Sequence, residues 1–310
     1  MDSIAGYSSD TSDASDNESD TQLPSPDFSP FSENYLGNNN MAGIFLHIPW
    51  NPPIQVANQL KTIAYDALRH LRQHHPEYVS SYVWNAVGER TRSVHGRFSI
   101  SNKTMVRTHH ISLCSNISGK PQNIDNFIRD FEAEVPKLGI PPSMIQPDKT
   151  EQERAKSLNA VLFRDRSPPP KTARKYISLR LRPELRIFRS ISSGNIFLAA
   201  VLDFSAPEQQ FFFRQIWDTI VANVDRHGIE FDTFRSSKDF KAPMLHVSLL
   251  YGELNVPAEP QFQGDVNESL GHLPYDELKD VQVCVDKVAI SKLAKVNTTT
   301  QIPFVIKENA

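Results

Sequence analysis

Each half of this chain shows the same order of patterns: an apolar run, long amphipathic helical patterns, and a later apolar run that carries histidine. Short apolar runs bounded by turn residues are typical of buried strands, and apolar residues at i, i+3, i+4 and i+7 are typical of helices. The segments are, in order, 44–48, 54–71, 106–113, 124–135, 195–202, 207–224 and 245–251. The sequence therefore predicts an α/β (α+β) protein whose two lobes share one body.

Composition divides the 310 residues into a tail and a body. Residues 1–40 hold eight acidic residues and no Lys or Arg, and they are rich in Ser, Asn and Pro. Such a segment buries too little apolar surface to offset its ordering entropy, so we predict a disordered acidic tail. The body, 41–310, is predicted to contain a first lobe at about 41–140 and a second lobe at about 176–310. The proline-rich stretch at about 141–175 is predicted to be an inserted loop, with room for one short helix near 151–163.

Charge and residue types exclude several classes of protein. No apolar run approaches the ~18 residues that a membrane span needs, so no membrane association is expected. The two cysteines, Cys114 and Cys284, lie far apart, which excludes a disulfide scaffold and favours a reducing compartment. Removing the tail's charge from the net −3 leaves +5 for the body, and its basic segment 149–189 fits either a phosphate-bearing partner or a solvated loop. No glycine-rich phosphate loop is present, and neither a cofactor nor a metal is expected.

The candidate chemistry rests on two short histidine motifs. Of the ten histidines, only His110 and His246 are followed two positions later by a hydroxyl residue, Ser112 and Ser248. Residues i and i+2 of a strand share one face, so each histidine should project together with its serine. Two such strands across a groove would supply an acid, a base and hydroxyl donors, which phosphodiester cleavage requires. Histidine suits both proton-transfer roles because its ordinary pKa of ~6.5 lies close to working pH.

A single motif of this kind carries little weight, because a histidine on a strand is more often a hydrogen-bonded structural residue. Two copies, one in each half and in matching apolar runs (HHISL and LHVSL), favour an active site. His109 precedes His110 and should face the opposite side of its strand, which makes it a poor catalytic alternative.

The paired motifs resemble those of the two-histidine (2H) phosphoesterase superfamily. Within it, the segments MAGIFLHIPW, VRTHHISL, IFLAAVLDFS and DFKAPMLHVSL are similar to those of the U6 small nuclear RNA phosphodiesterase family. The resemblance covers residues 41–306 and is weak through 141–175. It implies a bilobal fold in which two pseudo-symmetric lobes, with antiparallel sheets and outer helices, enclose a central groove.

The resemblance also implies roles for particular residues. His110 and His246 match the catalytic histidines, and Ser112 and Ser248 match the phosphate-binding hydroxyls. Phe240 stands six residues before the second histidine, where human-like members of the family carry a tyrosine that stacks on the terminal base. Phe240 keeps the ring and loses the hydroxyl, so stacking would survive. Tyr251 is a further candidate for the nucleotide pocket. For both aromatic residues, core packing is the competing interpretation.

The activity implied is that of a metal-independent 3′→5′ exoribonuclease, a monomer that trims the 3′ oligouridine end of U6 RNA in the nucleus, in support of mRNA splicing. One imidazole would deprotonate the penultimate 2′-OH and the other would protonate the leaving 5′-oxygen, giving a 2′,3′-cyclic phosphate or, after opening, a 3′ phosphate. We take His246 as the base and His110 as the acid, although the pseudo-symmetry leaves these roles interchangeable. A 2H enzyme that opens 2′,3′-cyclic RNA ends and a non-catalytic RNA-binding protein remain alternatives.

Overall fold

A computed structural model of the chain describes residues 41–88, 90–92, 104–106, 108–114, 116–147, 175–189, 195–231, 240, 245–256, 263–293 and 298–306. The predicted disordered tail at 1–40 and the predicted short helix near 151–163 lie outside these residues. Most of the basic segment before 175 lies outside them as well.

Five α-helices are formed by the described residues. They are α1 (Ile54–His74), α2 (Pro76–Ser80), α3 (Pro121–Glu134), α4 (Pro207–His227) and α5 (Gln263–Gly271). The three helical patterns of the sequence correspond to α1, α3 and α4, and in each most of the predicted apolar face is buried, although Ile54 at the start of α1 is 70% exposed. The amphipathic spacing therefore predicted both the position and the buried side of each long helix.

Proline and glycine mark the ends of the two longest helices. α1 begins directly after Pro53 and ends shortly before Pro76, because a proline disfavours helical backbone in the residue before it. α4 has Pro207 in its first turn and ends at Gly228. Gly228 has a φ of 57°, in the left-handed region that glycine adopts readily, and its N–H caps the carbonyl of Asp225.

The strands are short apart from β1, β8, β9, β11 and β13. In chain order they are β1 (Ala42–Pro49), β2 (Tyr82–Ala86), β3 (Arg90–Arg92), β4 (Thr104–Val106), β5 (His110–Ser112), β6 (Ile117–Gly119), β7 (Ile145–Pro147), β8 (Lys175–Arg189), β9 (Ile196–Leu202), β10 (Glu230–Phe231), β11 (His246–Leu254), β12 (Gln282–Val285), β13 (Lys287–Leu293) and β14 (Thr298–Pro303).

Twelve of the described strands form one hydrogen-bonded sheet in which every pairing is antiparallel. Its central order is β14–β13–β1–β5–β11–β9–β8–β12. β6 also pairs with β1, β10 pairs with β6, β2 pairs with β11, and β7 pairs with β8. The predicted mixed α/β class, with a large antiparallel sheet and helices, is therefore confirmed.

The three-residue strand β5 lies in the middle of this sheet, between β1 and β11. It joins strands from the two halves of the sequence. Strand β13, from the last part of the chain, pairs with β1 from the first part, so hydrogen bonds connect the two segments predicted as lobes. The two-lobed arrangement around a groove and its boundaries stay predictions.

One face of the central strands forms the core. Ile44, Leu46 and Ile48 alternate along β1 and are fully buried, as are Ile111 of β5 and Val247 of β11. These side chains pack in one apolar cluster with the buried faces of the helices. The residues that alternate with them lie on the opposite face of the strands, and the candidate active site described below lies on that face.

Two local expectations differ from the structure. Residues 142–147, predicted as part of an inserted loop, form a 3-10 turn (Pro142–Met144) and strand β7, which pairs with β8. Met144 is buried there, and such a short ordered element leaves no periodic signal in the sequence. The run 106–113, predicted as one strand, is divided between the end of β4 and β5. No helix among the described residues is long and apolar enough to span a membrane.

Candidate active site

The two motif strands, β5 and β11, are neighbours in the sheet, and the middle residues of the two motifs, Ile111 and Val247, lie directly opposite each other. In an antiparallel pair, this register sets His110 beside Ser248 and Ser112 beside His246. Because Ile111 and Val247 are turned into the core at 0% exposure, the four polar side chains belong to the other face of the sheet. All four are half-buried there.

The register also fixes the dimensions of this group of four residues. Directly opposite side chains have β-carbons about 4.5–5.5 Å apart, and diagonal neighbours are about 7–8 Å apart. His110 and His246 therefore occupy diagonal corners, with a serine at each of the other two corners. A phosphate above the centre would lie between two imidazoles and within reach of two hydroxyls.

The imidazole of His110 is oriented by its own backbone. Its Nδ1 lies 2.9 Å from the carbonyl oxygen of Thr108. A carbonyl can only accept a hydrogen bond, so Nδ1 carries the proton and donates it. The other nitrogen, Nε2, is therefore the one that can exchange a proton with a substrate, through its lone pair in the neutral ring or its N–H in the charged ring.

His47 of β1 is a third histidine on this face, and sequence reasoning gave it no role. It pairs with Ser112, its exposed fraction is only 1%, and its ring lies edge-on to that of His110 with centroids 5.6 Å apart. The ring of Phe45 stacks on that of His47 at 5.2 Å and meets the ring of His110 edge-on at 5.7 Å. Burial, helped by the nearby His110, lowers the pKa of His47 from 6.5 to about 3. His47 is therefore a neutral ring that packs against the candidate catalytic histidine.

His246 has a different aromatic neighbour, Phe188 of β8. The two rings are nearly parallel, with an angle of 10° between them and centroids 3.9 Å apart. Phe188 comes from a strand that is not adjacent to β11, since β9 lies between them. No motif in the sequence links Phe188 to His246, because the contact depends on the order of strands.

His109, predicted to face away from the site, lies in a different environment from His110. It is 7% exposed, its ring contacts Trp50, and its Nδ1 lies 3.1 Å from the carbonyl oxygen of Ser248. Burial lowers the pKa of His109 to about 4, against the opposing effect of that hydrogen bond. The neutral ring thus ties the residue before β5 to the backbone of the second motif. Gly88, with a φ of 88°, lies against this ring.

The two aromatic candidates, Phe240 and Tyr251, are placed differently. Phe240 is half-buried against the core: its ring meets that of Phe204 edge-on at 6.0 Å, and the guanidinium of Arg214 lies 6.0 Å from its centroid. Tyr251 lies on β11 beyond a register shift after Ser248, and it is 6% exposed. Its hydroxyl accepts a hydrogen bond from the Asn195 side chain.

The structure thus brings the four motif residues together, and the contacts given above for Phe240 and Tyr251 are with other residues. The catalytic, phosphate-binding and nucleotide-binding roles of all six residues stay predictions.

Among the described residues, no group of three His, Cys, Asp or Glu side chains could hold a metal ion. One pair of histidines does have the i, i+4 spacing of metal ligands: His70 and His74 on α1, whose ring centroids are 4.3 Å apart. The sequence itself shows this spacing, and the expectation of no metal did not take it into account.

No family model and no curated protein matches the chain. Among solved structures, it is similar to Usb1, the U6 small nuclear RNA phosphodiesterase, from Kluyveromyces marxianus. One match has 12% identity and a TM-score of 0.48 and covers 86% of this chain and 98% of that one. A second, Usb1 with uridine monophosphate, has 11% identity and a TM-score of 0.49 and covers 86% and 99%. At 11–12% identity and TM-scores of 0.48 and 0.49, these likenesses assign no function to this chain.

Proposed function

We propose that this protein is a 3′→5′ RNA exonuclease that removes the terminal nucleotide by transesterification. The observation that carries the proposal is the pairing of Ile111 with Val247. It sets His110, Ser112, His246 and Ser248 on one face of the sheet, with the two histidines at diagonal corners. An acid, a base and two hydroxyl donors are the groups that phosphodiester cleavage requires, and this arrangement supplies all of them.

The reaction uses the ribose itself as the nucleophile. One imidazole takes the proton from the 2′-OH of the penultimate nucleotide, and that oxygen attacks the adjacent phosphorus. The bond from phosphorus to the 5′-oxygen of the last nucleotide breaks, and the second imidazole protonates this oxygen. The products are a free terminal nucleoside and an RNA shortened by one residue that ends in a 2′,3′-cyclic phosphate. Water could later open the cyclic ester to a 3′ phosphate at the same two histidines.

The serines and the imidazole hydrogen bond complete the proposed chemistry. The hydroxyl groups of Ser112 and Ser248 donate hydrogen bonds to the non-bridging oxygens, where charge develops in the transition state. The hydrogen bond from His110 Nδ1 to Thr108 keeps Nε2 as the reacting nitrogen. Because the geometry places the two histidines in equivalent corners, the assignment of His246 as base and His110 as acid stays a proposal.

The substrate is proposed to be the 3′ oligouridine end of U6 RNA in the nucleus, with the protein acting as a monomer. The support for this part is the sequence resemblance, through the segments around the two motifs. The proposed reaction type is therefore supported by the residues of the site, whereas the proposed RNA substrate is supported by the sequence resemblance.

The test is to incubate the purified chain with a 5′-labelled RNA that ends in several uridines. We expect a ladder of shorter products with 2′,3′-cyclic phosphate ends, and no ladder from a variant carrying both His110→Gln and His246→Gln. RNA binding without any shortening, equal in both proteins, would instead identify a binding protein. Opening of a preformed cyclic end without shortening would identify a cyclic phosphodiesterase.

A further inference from the structure

A row of paired residues crosses three neighbouring strands at the level of Ser248. Arg186 of β8 pairs with Ala199 of β9, and Ala199 pairs with Ser248 of β11. Residues directly opposite each other on antiparallel strands share one face of the sheet. Arg186 therefore belongs to the face that carries the four motif residues. Its α-carbon is two strand spacings, or about 9–10 Å, from that of Ser248.

The residue between Arg186 and Ser248 is small. Ala199 contributes only a methyl group to this face, and its exposed fraction is 0%. Phe188, two residues further along β8, crosses β9 to stack on His246, so a side chain of β8 can reach the second motif.

Arg186 also carries a permanent positive charge, which none of the four motif residues has. They provide two imidazoles, one of which must be neutral for the reaction, and two uncharged hydroxyls. A phosphodiester gains negative charge in the transition state, and a guanidinium stays positively charged at any working pH. A cation on this face would therefore complement the charge of the substrate.

Among the residues that the structure describes, the charge of Arg186 is only partly compensated. Its Nε contacts the carboxylate of Glu184, which is also 3.2 Å from Arg182 Nη2, so two guanidinium groups share one carboxylate. The Arg186 side chain is 45% exposed, and an ion pair at this exposure contributes little. A guanidinium has five N–H donors, so a contact through Nε leaves the Nη donors able to bind phosphate in a bidentate manner.

We propose that Arg186 binds the phosphate that Ser248 holds, as the permanent cation of the site. This inference rests on the proposed function and adds a substrate contact to it. Glu184 holds the guanidinium at the edge of the site in the absence of RNA, and the phosphate oxygens engage its Nη donors when RNA binds.

The test compares Arg186→Ala with a matched control, Arg69→Ala. Arg69 is also an exposed arginine paired with an acid, Asp66, at 2.7 Å, but it lies on α1 rather than on the strands of the site. Affinity is measured at several salt concentrations for an oligouridine RNA whose penultimate 2′-OH is replaced by hydrogen, so that it binds without being cleaved. Thermal unfolding of each variant is recorded alongside.

Arg186→Ala should weaken binding about tenfold, and the slope of log affinity against log salt should fall by about 0.7, the value for one phosphate contact on a single strand. Arg186→Lys should keep the slope because it keeps the charge, and Arg69→Ala should change neither quantity. A slope for Arg186→Ala equal to that of the wild type and of Arg69→Ala would overturn the inference.

A failure of the proposed function would be distinguishable from a failure of this inference, because RNA shortening and the salt dependence of binding are measured separately. In that case the wild type would bind RNA and never shorten it, while the salt slopes would still show whether Arg186 contacts phosphate. If Arg186→Ala proves unstable, Arg186→Gln keeps the length and polarity of the side chain and removes the charge. The same loss of slope is then expected.

Discussion

The ring of Phe188 lies flat against that of His246, with centroids 3.9 Å apart and planes 10° from parallel. His110 instead meets two rings edge-on, that of His47 at 74° and 5.6 Å and that of Phe45 at 86° and 5.7 Å. Each motif histidine is thus held by at least one aromatic ring from a strand outside the motif, and the contacts differ in geometry. This difference breaks the symmetry that the two motifs suggest in the sequence.

Replacing either His110 or His246 with Gln should reduce the rate of RNA shortening by roughly 10²–10⁴-fold, because general acid or base catalysis is lost. Affinity for uncleavable RNA should change little. The measurement is a single-turnover rate with 3′-oligouridine RNA, and His74→Gln on the exposed side of α1 is the matched control. Ser112→Ala and Ser248→Ala should have milder effects. A near-normal rate in either histidine variant would contradict the assignment.

Phe188→Leu keeps an apolar side chain but removes the flat ring over His246. Aromatic pairs contribute roughly 0.5–1.5 kcal/mol beyond their buried area, so the cleavage rate constant should fall about two- to tenfold. RNA affinity should stay the same, and Phe188→Tyr should retain the rate. Single-turnover kinetics at saturating RNA measure the effect. An unchanged rate in Phe188→Leu would show that His246 is oriented by other contacts.

The two buried histidines, His47 and His109, should make the protein less stable in mild acid. Their folded-state pKa values are lowered to about 3 and about 4, so the unfolded chain takes up protons near pH 6.5 that the folded chain does not. Their contribution to stability is complete above pH 6.5 and is lost as the pH falls toward 4 for His109 and toward 3 for His47. Near pH 5, each should reduce the free energy of unfolding by about 1.4 kcal/mol per pH unit.

Urea unfolding at pH 7, 6 and 5 measures this dependence. His109→Gln, which keeps a donor for the Ser248 carbonyl, should flatten the slope by the contribution of one histidine. The same change at the exposed His74 is the control. An identical pH slope in wild type and His109→Gln would contradict the burial of a neutral imidazole at this position.

Phe240→Ala separates base stacking from core packing. If the ring stacks on the terminal base, RNA binding should weaken by roughly 1–3 kcal/mol, and Phe240→Tyr should bind normally. The contacts with Phe204 and Arg214 predict some loss of stability as well, so urea unfolding must accompany the binding measurement. Destabilisation with unchanged affinity in the folded fraction would assign Phe240 to the core alone.

The sequence predicted what depends on local periodicity. The buried faces of α1, α3 and α4 follow from apolar spacing, and the shared face of His110 and Ser112 follows from the two-residue period of a strand. It could not predict which strands pair. The contact of β5 with both β1 and β11, and the placement of Phe188 against His246, depend on residues distant in the chain. For the same reason the sequence could not place His47 beside His110, nor assign Arg186 of the basic segment 149–189 to the face of the motif residues, because both placements depend on the order of strands.

The central claim is that the penultimate 2′-OH is the nucleophile, that one of His110 and His246 takes its proton, and that the other protonates the leaving 5′-oxygen. The most direct measurement is cleavage of two RNAs that differ by one atom, an all-ribose oligouridine and the same chain with a single penultimate 2′-deoxy residue, both in excess EDTA. We predict that the all-ribose RNA loses its last nucleotide and gains a 2′,3′-cyclic end, whereas the 2′-deoxy RNA binds and stays intact. Efficient removal of the last nucleotide from the 2′-deoxy RNA would contradict the mechanism, even if both histidines proved essential.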